Sequence, residues 1–272
     1  MSDRGRIVVA FARREVETVG RTYTFFVLAL GFAVVLLGVA RVGSGAAGGY
    51  LPTTVDLLTP LELLVPVVAV AFGYRAILAD ARRGELDVVR TYPVAPWQLV
   101  LGTYLGRAVG LLVAIVLPLL AVGFLVVMTS GPEIDLFATH AGADSPVLFL
   151  RVIVLTALFG LVVLSLALAV SAVATSTRSA LALATLVLLV VIVGADLAIL
   201  AGLTGDWFGD DALQWVLALS PNSAYRGLVL ETVVGVAIES DVRAGAPLAN
   251  LLGLVLWALV GLVVATVALG RR

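Results

Sequence analysis

The stretch DARRGELDVVRTYPVAPWQ, Asp80 to Gln98, concentrates Asp80, Arg82, Arg83, Glu85, Asp87 and Arg90 between two long apolar runs. Such a cluster of carboxylates and guanidiniums presents charge to a polar partner. The segment reads as two pieces. A helical end runs down through Asp80–Arg83 to Gly84, and a short turn, Glu85–Arg90, follows. Pro93 pushes Tyr92 out of helical geometry, and Pro96 restarts the chain as the first residue of a new helix. A plain connector needs only a few residues. A charged helical loop bounded by prolines is therefore expected to be a docking knob, with Leu86 and Val89, three apart, as its apolar anchor; such anchors carry most interface energy.

A second candidate is Asp196, the one acid well inside an apolar run, VVIVGADLAIL. A carboxylate facing lipid costs several kcal/mol, so it is expected to face a bundle interior or a wet cavity. Two roles stay open for it: a structural hydrogen bond near the membrane surface, or a place on a transport path.

Other chemistry is excluded by residue type. There is no cysteine, one histidine (His140) and two methionines (Met1 and Met128), which rules out disulfides and thiolate sites and leaves almost no soft metal ligands. Lysine is absent, so no phosphate-cradling G-x-x-x-x-G-K-[ST] loop exists, and one histidine cannot supply H-E-x-x-H. Ser165 and Ser171 lie on apolar runs with no base partner and read as packing residues. No enzyme activity, bound cofactor or nucleic-acid partner is expected of this chain.

The elements that hold these residues are membrane spans. Of 272 residues, 61% are hydrophobic and 13% charged, with a mean hydropathy of +1.14. A spanning helix needs about 20 mainly apolar residues, and six runs qualify: Thr22–Ala40, Leu57–Ala79, Ala108–Met128, Val147–Ser171, Leu181–Leu203 and Leu248–Leu269. None shows the alternation of a β-barrel strand. The fold class is an all-α polytopic membrane protein. The first apolar run is too long for the core of a cleaved signal and is expected to be a retained span.

Arginine asymmetry orients the bundle. With both termini inside, the inner segments hold thirteen of the seventeen arginines and six acids, whereas the outer segments hold four arginines and eleven acids. Glu62 and Arg75 lie near opposite ends of the second run and are expected to reach the two interfaces. All basic residues being arginine, in a chain rich in Ala, Val, Gly and Asp, fits a GC-rich prokaryotic source, a halophile among the candidates.

Residues 1–21 can form an amphipathic helix on the inner membrane surface, with Ile7, Val8, Phe11, Ala12, Val16 and Val19 on one side and Glu15 intruding among them; the alternative is a basic tail that only sets topology. Arg107 would fall inside any span that began at Gln98, so Pro96–Arg107 is expected as a helical extension on the inner side. Gly102, Gly106 and Gly110 recur every four residues and flatten one face for close packing, within the subunit or against a second copy. Outside, Arg41–Tyr50 is glycine-rich and expected to be flexible. The segment Thr204–Pro247 holds two apolar stretches too short to cross, Leu213–Leu219 and Leu228–Ile238, expected to be short helices dipping into or resting on the outer leaflet, with Ser220 placed to cap a helix that has Pro221 first.

The order of these features resembles the permease subunits of type-2 ABC transporters, the exporter-like class that includes the permease for nitrous oxide reductase maturation. That family's loop between spans two and three reads E-R-E-x-G-T-L-x-x-L-L-x-x-P-V-S-R, followed by G-K-x-x-G. Gly84, Leu86, Pro93, Val94, Gly102 and Gly106 match in register. Asp80 stands for the family's Glu, Glu85 for Thr, Ala95 for Ser, Pro96 for a basic residue and Thr103 for Lys. The likeness extends over nearly the whole chain.

The resemblance implies one transmembrane permease domain over residues 1–272, with a surface helix at 1–21 and a six-span bundle at 22–269. It implies that a cytosolic ABC ATPase, holding the ATP and Mg, docks on the loop, with Asp80, Arg82, Arg83, Gly84, Glu85, Leu86, Asp87, Val89, Arg90 and Pro93 as coupling residues. A second permease copy, as a homodimer in membrane lipid, would complete an exporter. An ATP-independent carrier or a structural assembly subunit is the alternative. The substrate is not legible.

Overall fold

The computed structural model describes residues 3–43, 45–86, 91–130, 144–205, 213–237 and 246–271. Among them every regular element is helical. The helices are α1 (Asp3–Arg21), α2 (Tyr23–Val42), α3 (Gly45–Gly48), α4 (Tyr50–Gly73), α5 (Ala76–Arg82), α6 (Pro96–Thr129) and α7 (Pro146–Val173). Then follow α8 (Thr177–Leu189), α9 (Ala195–Thr204), α10 (Leu213–Leu217), α11 (Pro221–Val229), α12 (Gly235–Ala237) and α13 (Pro247–Arg271). A π-helical turn, Val190–Gly194, joins α8 to α9, and a second, Leu230–Val234, joins α11 to α12.

Six stretches are long and apolar enough to cross a membrane: Tyr23–Val42, Tyr50–Arg82, Pro96–Thr129, Pro146–Val173, Thr177–Thr204 and Pro247–Arg271. The fourth, α7, is the axis of the bundle, with α4, α6 and α13 packed on it. Close approach needs small residues. A Cβ on Gly261 of α13 would come within 2.5 Å of Ser165 Oγ, and one on Gly73 of α4 would come within 2.5 Å of the Ala167 Cβ. The stretches holding α2, α8–α9 and α13 are the least buried within this chain.

Two differences from the expected spans have local causes. The second span starts at Tyr50 rather than Leu57. Its early polar residues are satisfied inside the helix, Thr53 Oγ1 donating to the Gly49 carbonyl (2.6 Å) and Thr54 Oγ1 to the Tyr50 carbonyl (2.9 Å). Its first free N–H groups, on Tyr50 and Leu51, donate to the Asp144 carboxylate at 2.7 and 2.8 Å. The glycine-rich approach, expected to be flexible, carries the helical turn α3 and turns sharply at Gly49, whose φ of 110° suits glycine.

The helix that carries the third span begins at Pro96, as its sequence predicts, and runs unbroken for 34 residues. That is about 51 Å at 1.5 Å per residue, longer than a hydrocarbon core of about 30 Å. The helix α1 packs along its N-terminal part.

Candidate functional site

The helix α1 lies along the glycine stripe of α6. A Cβ on Gly102 would come within 2.5 Å of the Phe11 Cβ, one on Gly106 within 2.5 Å of the Ala12 carbonyl, and one on Gly110 within 2.5 Å of Val19 Cγ1. The stripe is occupied within the subunit. Val8, Glu15 and Val19 are buried in this contact, whereas Arg13 and Glu17 stay exposed and pair with each other at 3.3 Å.

The two charges that fitted neither helix pair with each other. Arg107 Nε donates to Glu15 Oε2 at 2.6 Å, and Arg107 Nη1 to the Phe72 carbonyl at 3.3 Å. Glu15 Oε1 accepts from Arg14 Nη2 at 3.0 Å. Arg14 then reaches the stretch after the second span, donating to Asp80 and, at 3.0 Å, to Glu85 Oε2. Arg83 closes the cluster on Asp80 (2.7 Å) and Glu85 (2.6 Å). Three arginines and three carboxylates thus join α1, the end of the second span and α6 in one neutral network. Burial lowers the pKa of Arg14, but the charges and hydrogen bonds of Asp80 and Glu15 outweigh it and hold the group above its ordinary value.

The backbone beneath this network is built for a sharp reversal. The Ser171 hydroxyl accepts from the N–H groups of Ile77 and Leu78, both at 3.0 Å, and so caps the start of α5; it is more than the packing residue its sequence context suggests. At the other end Gly84 adopts φ 74°, a left-handed turn that favours glycine. Arg82 donates to Thr177 Oγ1, tying the loop to the first residue of α8. After the loop, Gln98 Oε1 accepts from Ala95 N at 2.8 Å, while Gln98 Nε2 donates to the Arg4 carbonyl at 3.3 Å.

Leu86 requires a correction. Expected as an exposed anchor, it is 6% exposed and belongs to the chain's own core. With Asp80 and Glu85 drawn inward to Arg14, the segment turns its apolar residue inward too. The exposed part of the loop is Arg82, Arg83 and the stretch Thr91–Pro93, with Tyr92 65% exposed. Asp87, Val89 and Arg90 lie outside the described residues.

Asp196 sits in a separate constellation at the opposite end of the bundle. The extra residue in the π-helical turn before it offsets the following side chains by about 100° relative to an unbroken helix. Asp196 Oδ1 accepts from Ser220 Oγ and, at 2.8 Å, from Ser223 Oγ. Ser220 caps α11 as expected, its hydroxyl accepting from Ser223 N at 3.2 Å, with Pro221 next. Glu62 lies in the same region: it is buried within the chain and takes a two-pronged pair from Arg226, whose Nε is 2.6 Å from Oε1. A carboxylate buried among helices is tolerated with such a partner. The Tyr225 ring stacks on Phe159 (4.8 Å between centroids) and its hydroxyl bonds Thr156 at 2.9 Å.

Arg14, Glu15, Arg107, Glu62 and Arg226 were not among the expected site residues. A signal existed for two of them: Glu15 on an apolar helix face and Arg107 at the edge of an apolar run are opposite charges, each out of place alone.

Taken together, this is a polytopic helical membrane protein with charged constellations at both ends of its bundle. The chain belongs to the ABC-2 family of transporter proteins, whose family model matches residues 33–272, and it is a type-2 ABC permease. It is 32% identical over 283 residues to the probable ABC transporter permease protein NosY of Pseudomonas aeruginosa, a match covering 98% of both chains. The protein of the same description from Stutzerimonas stutzeri is 30% identical over 226 residues, covering 79% of this chain and 78% of that one.

Proposed function

We propose that this permease is the membrane subunit of an ATP-driven exporter. A cytosolic ATPase docks on the loop between the second and third spans, and both chain termini share its side of the membrane. Two copies of the chain and two ATPases make the working unit, and closure of the ATPase pair rocks the helix bundles and moves cargo outward.

One observation carries this reading: the charge network clamps the loop to α1 and, through Glu15 and Arg107, to the N-terminal part of α6. A force applied at Thr91–Pro93 would meet a braced segment. The arginine bias agrees with the orientation, since thirteen of the seventeen fall on the loop's side.

The test combines topology with co-purification. Tyr92→Cys and Trp215→Cys, both at exposed positions of this cysteine-free chain, are treated with an impermeant thiol reagent in intact cells. Labelling at 215 and not at 92, together with a co-purifying ATPase and ATP-dependent transport, is expected. The reverse labelling pattern, or transport driven by an ion gradient without a partner, overturns the reading.

A further inference from the structure

An apolar groove of about 560 Å³ opens between α2 and α6, with the end of α1 as its upper lip. It exists because small residues stand where two packed helices usually carry large ones: Gly20 on α1, Ala29 and Ala33 on α2, Gly110, Ala114 and Ala121 on α6. Ala29 and Ala33 follow one another at helical spacing, as do Gly110 and Ala114, so each helix presents a shallow stripe. The tilted pair of Phe25 and Phe72, 4.4 Å between centroids, lies at the end nearest α1, beneath the Arg107 guanidinium at 5.3 Å.

Its dimensions are those of one leaflet. Along α6 the lining runs from Val109 to Ala121, a length of about 18 Å at 1.5 Å per residue, and half a hydrocarbon core is about 15 Å. The groove starts where the first span leaves α1, so on the span assignments one end is at the membrane surface and the other near mid-membrane. Arg21, which follows the lining residue Gly20 and ends α1, is exposed and has no ion pair or hydrogen-bond partner among the described residues. An apolar slot gains dispersion contacts along its whole lining from an occupant that follows its shape. A slender, flexible apolar chain fills it, and an anion at the end of that chain would meet Arg21.

We infer that this groove is a binding site for one acyl chain of an anionic phospholipid, whose headgroup phosphate pairs with Arg21. The lipid then wedges α2 against α6 beside the Glu15–Arg107 pair. This inference depends on the span assignments and not on the docking of an ATPase.

The experiment uses the full chain in nanodiscs of phosphatidylcholine, doped with phosphatidylglycerol or phosphatidylcholine bearing a photoreactive diazirine at the acyl-chain end. Cross-links are mapped by peptide mass spectrometry. Labelling is expected to concentrate on the less exposed wall of the groove, on Ala33 and Ala114. The phosphatidylglycerol probe should exceed the other by roughly fivefold, the worth of one arginine near a charged surface. Arg21→Gln should abolish that preference and leave the position of the labels unchanged. Ala33→Trp should remove the groove labels; if that variant does not fold, Ala121→Phe at the outer wall serves instead. Labels spread evenly over outward residues such as Leu197 and Leu256 would show annular lipid only and overturn the proposal. So would groove labels that survive both filling substitutions, or cross-links showing a second copy of the chain seated in the groove.

Discussion

Arg107 Nε lies 2.6 Å from Glu15 Oε2, both residues are buried, and 92 positions of sequence separate them. The pair pins α1 to the N-terminal part of α6. Breaking one partner of a buried pair typically costs about 3–5 kcal/mol, because the other charge is left uncompensated. Glu15→Leu and Arg107→Met should each lower the melting temperature in detergent sharply. The double variant should recover most of the loss, and a double variant no better than the sum of the singles would contradict the pairing.

Leu86→Asp should cost stability rather than partner binding alone. Placing a carboxylate in the core cluster that holds Leu86 costs several kcal/mol unless it is paired. Gel filtration should show aggregation or loss of the monodisperse peak. A folded Leu86→Asp protein that merely loses its partner would return Leu86 to the role of an exposed anchor.

The glycine stripe gives a kinetic readout. A leucine at Gly106 would collide with the Ala12 carbonyl and the Glu15 Cβ, both on the helix that must approach most closely. Gly106→Leu should loosen α1, so trypsin should cut at Arg14 and release the N-terminal segment faster than in the parent chain. Unchanged digestion would mean that α1 is not held by this contact.

At the other end, Asp196→Leu strands the hydroxyls of Ser220 and Ser223 and should cost about 1–3 kcal/mol, the usual penalty for removing one partner of a buried hydrogen bond. Asp196→Asn keeps an acceptor oxygen and should melt close to the parent. Equal melting temperatures for the two would mean that the bonds from Ser220 and Ser223 to Asp196 add nothing to stability. If Asp196→Asn loses transport without losing stability, the carboxylate charge serves the path.

Much of the fold was legible because its signals are local. Six apolar runs, Pro96 as a helix start, and Ser220 with Pro221 as a capped start each depend on a few consecutive residues, and all hold. The charge network was not legible, because its partners are far apart in sequence: Arg14 meets Asp80 across 66 positions and Arg226 meets Glu62 across 164. Read alone, Leu86 looks like an exposed anchor. It is buried because Arg14, far away in sequence, holds Asp80 and Glu85 on either side of the turn before it. The π-helical turns at Val190–Gly194 and Leu230–Val234 left no periodicity signal either, since apolar residues surround the first on all sides.

The coupling account stands most directly on the affinity of the cognate ATPase for the permease in nanodiscs, with and without the exposed tip of the loop. Tyr92 is an aromatic side chain of the kind that dominates interfaces, and truncating such a residue typically costs about 2 kcal/mol or more. Tyr92→Ala should therefore weaken binding by roughly thirtyfold, while the melting temperature stays at the parent value and Tyr23→Ala, at a still more exposed position on the first span, binds normally. ATPase affinity unchanged by Tyr92→Ala combined with Pro93→Ala would contradict the account and leave the loop a braced connector.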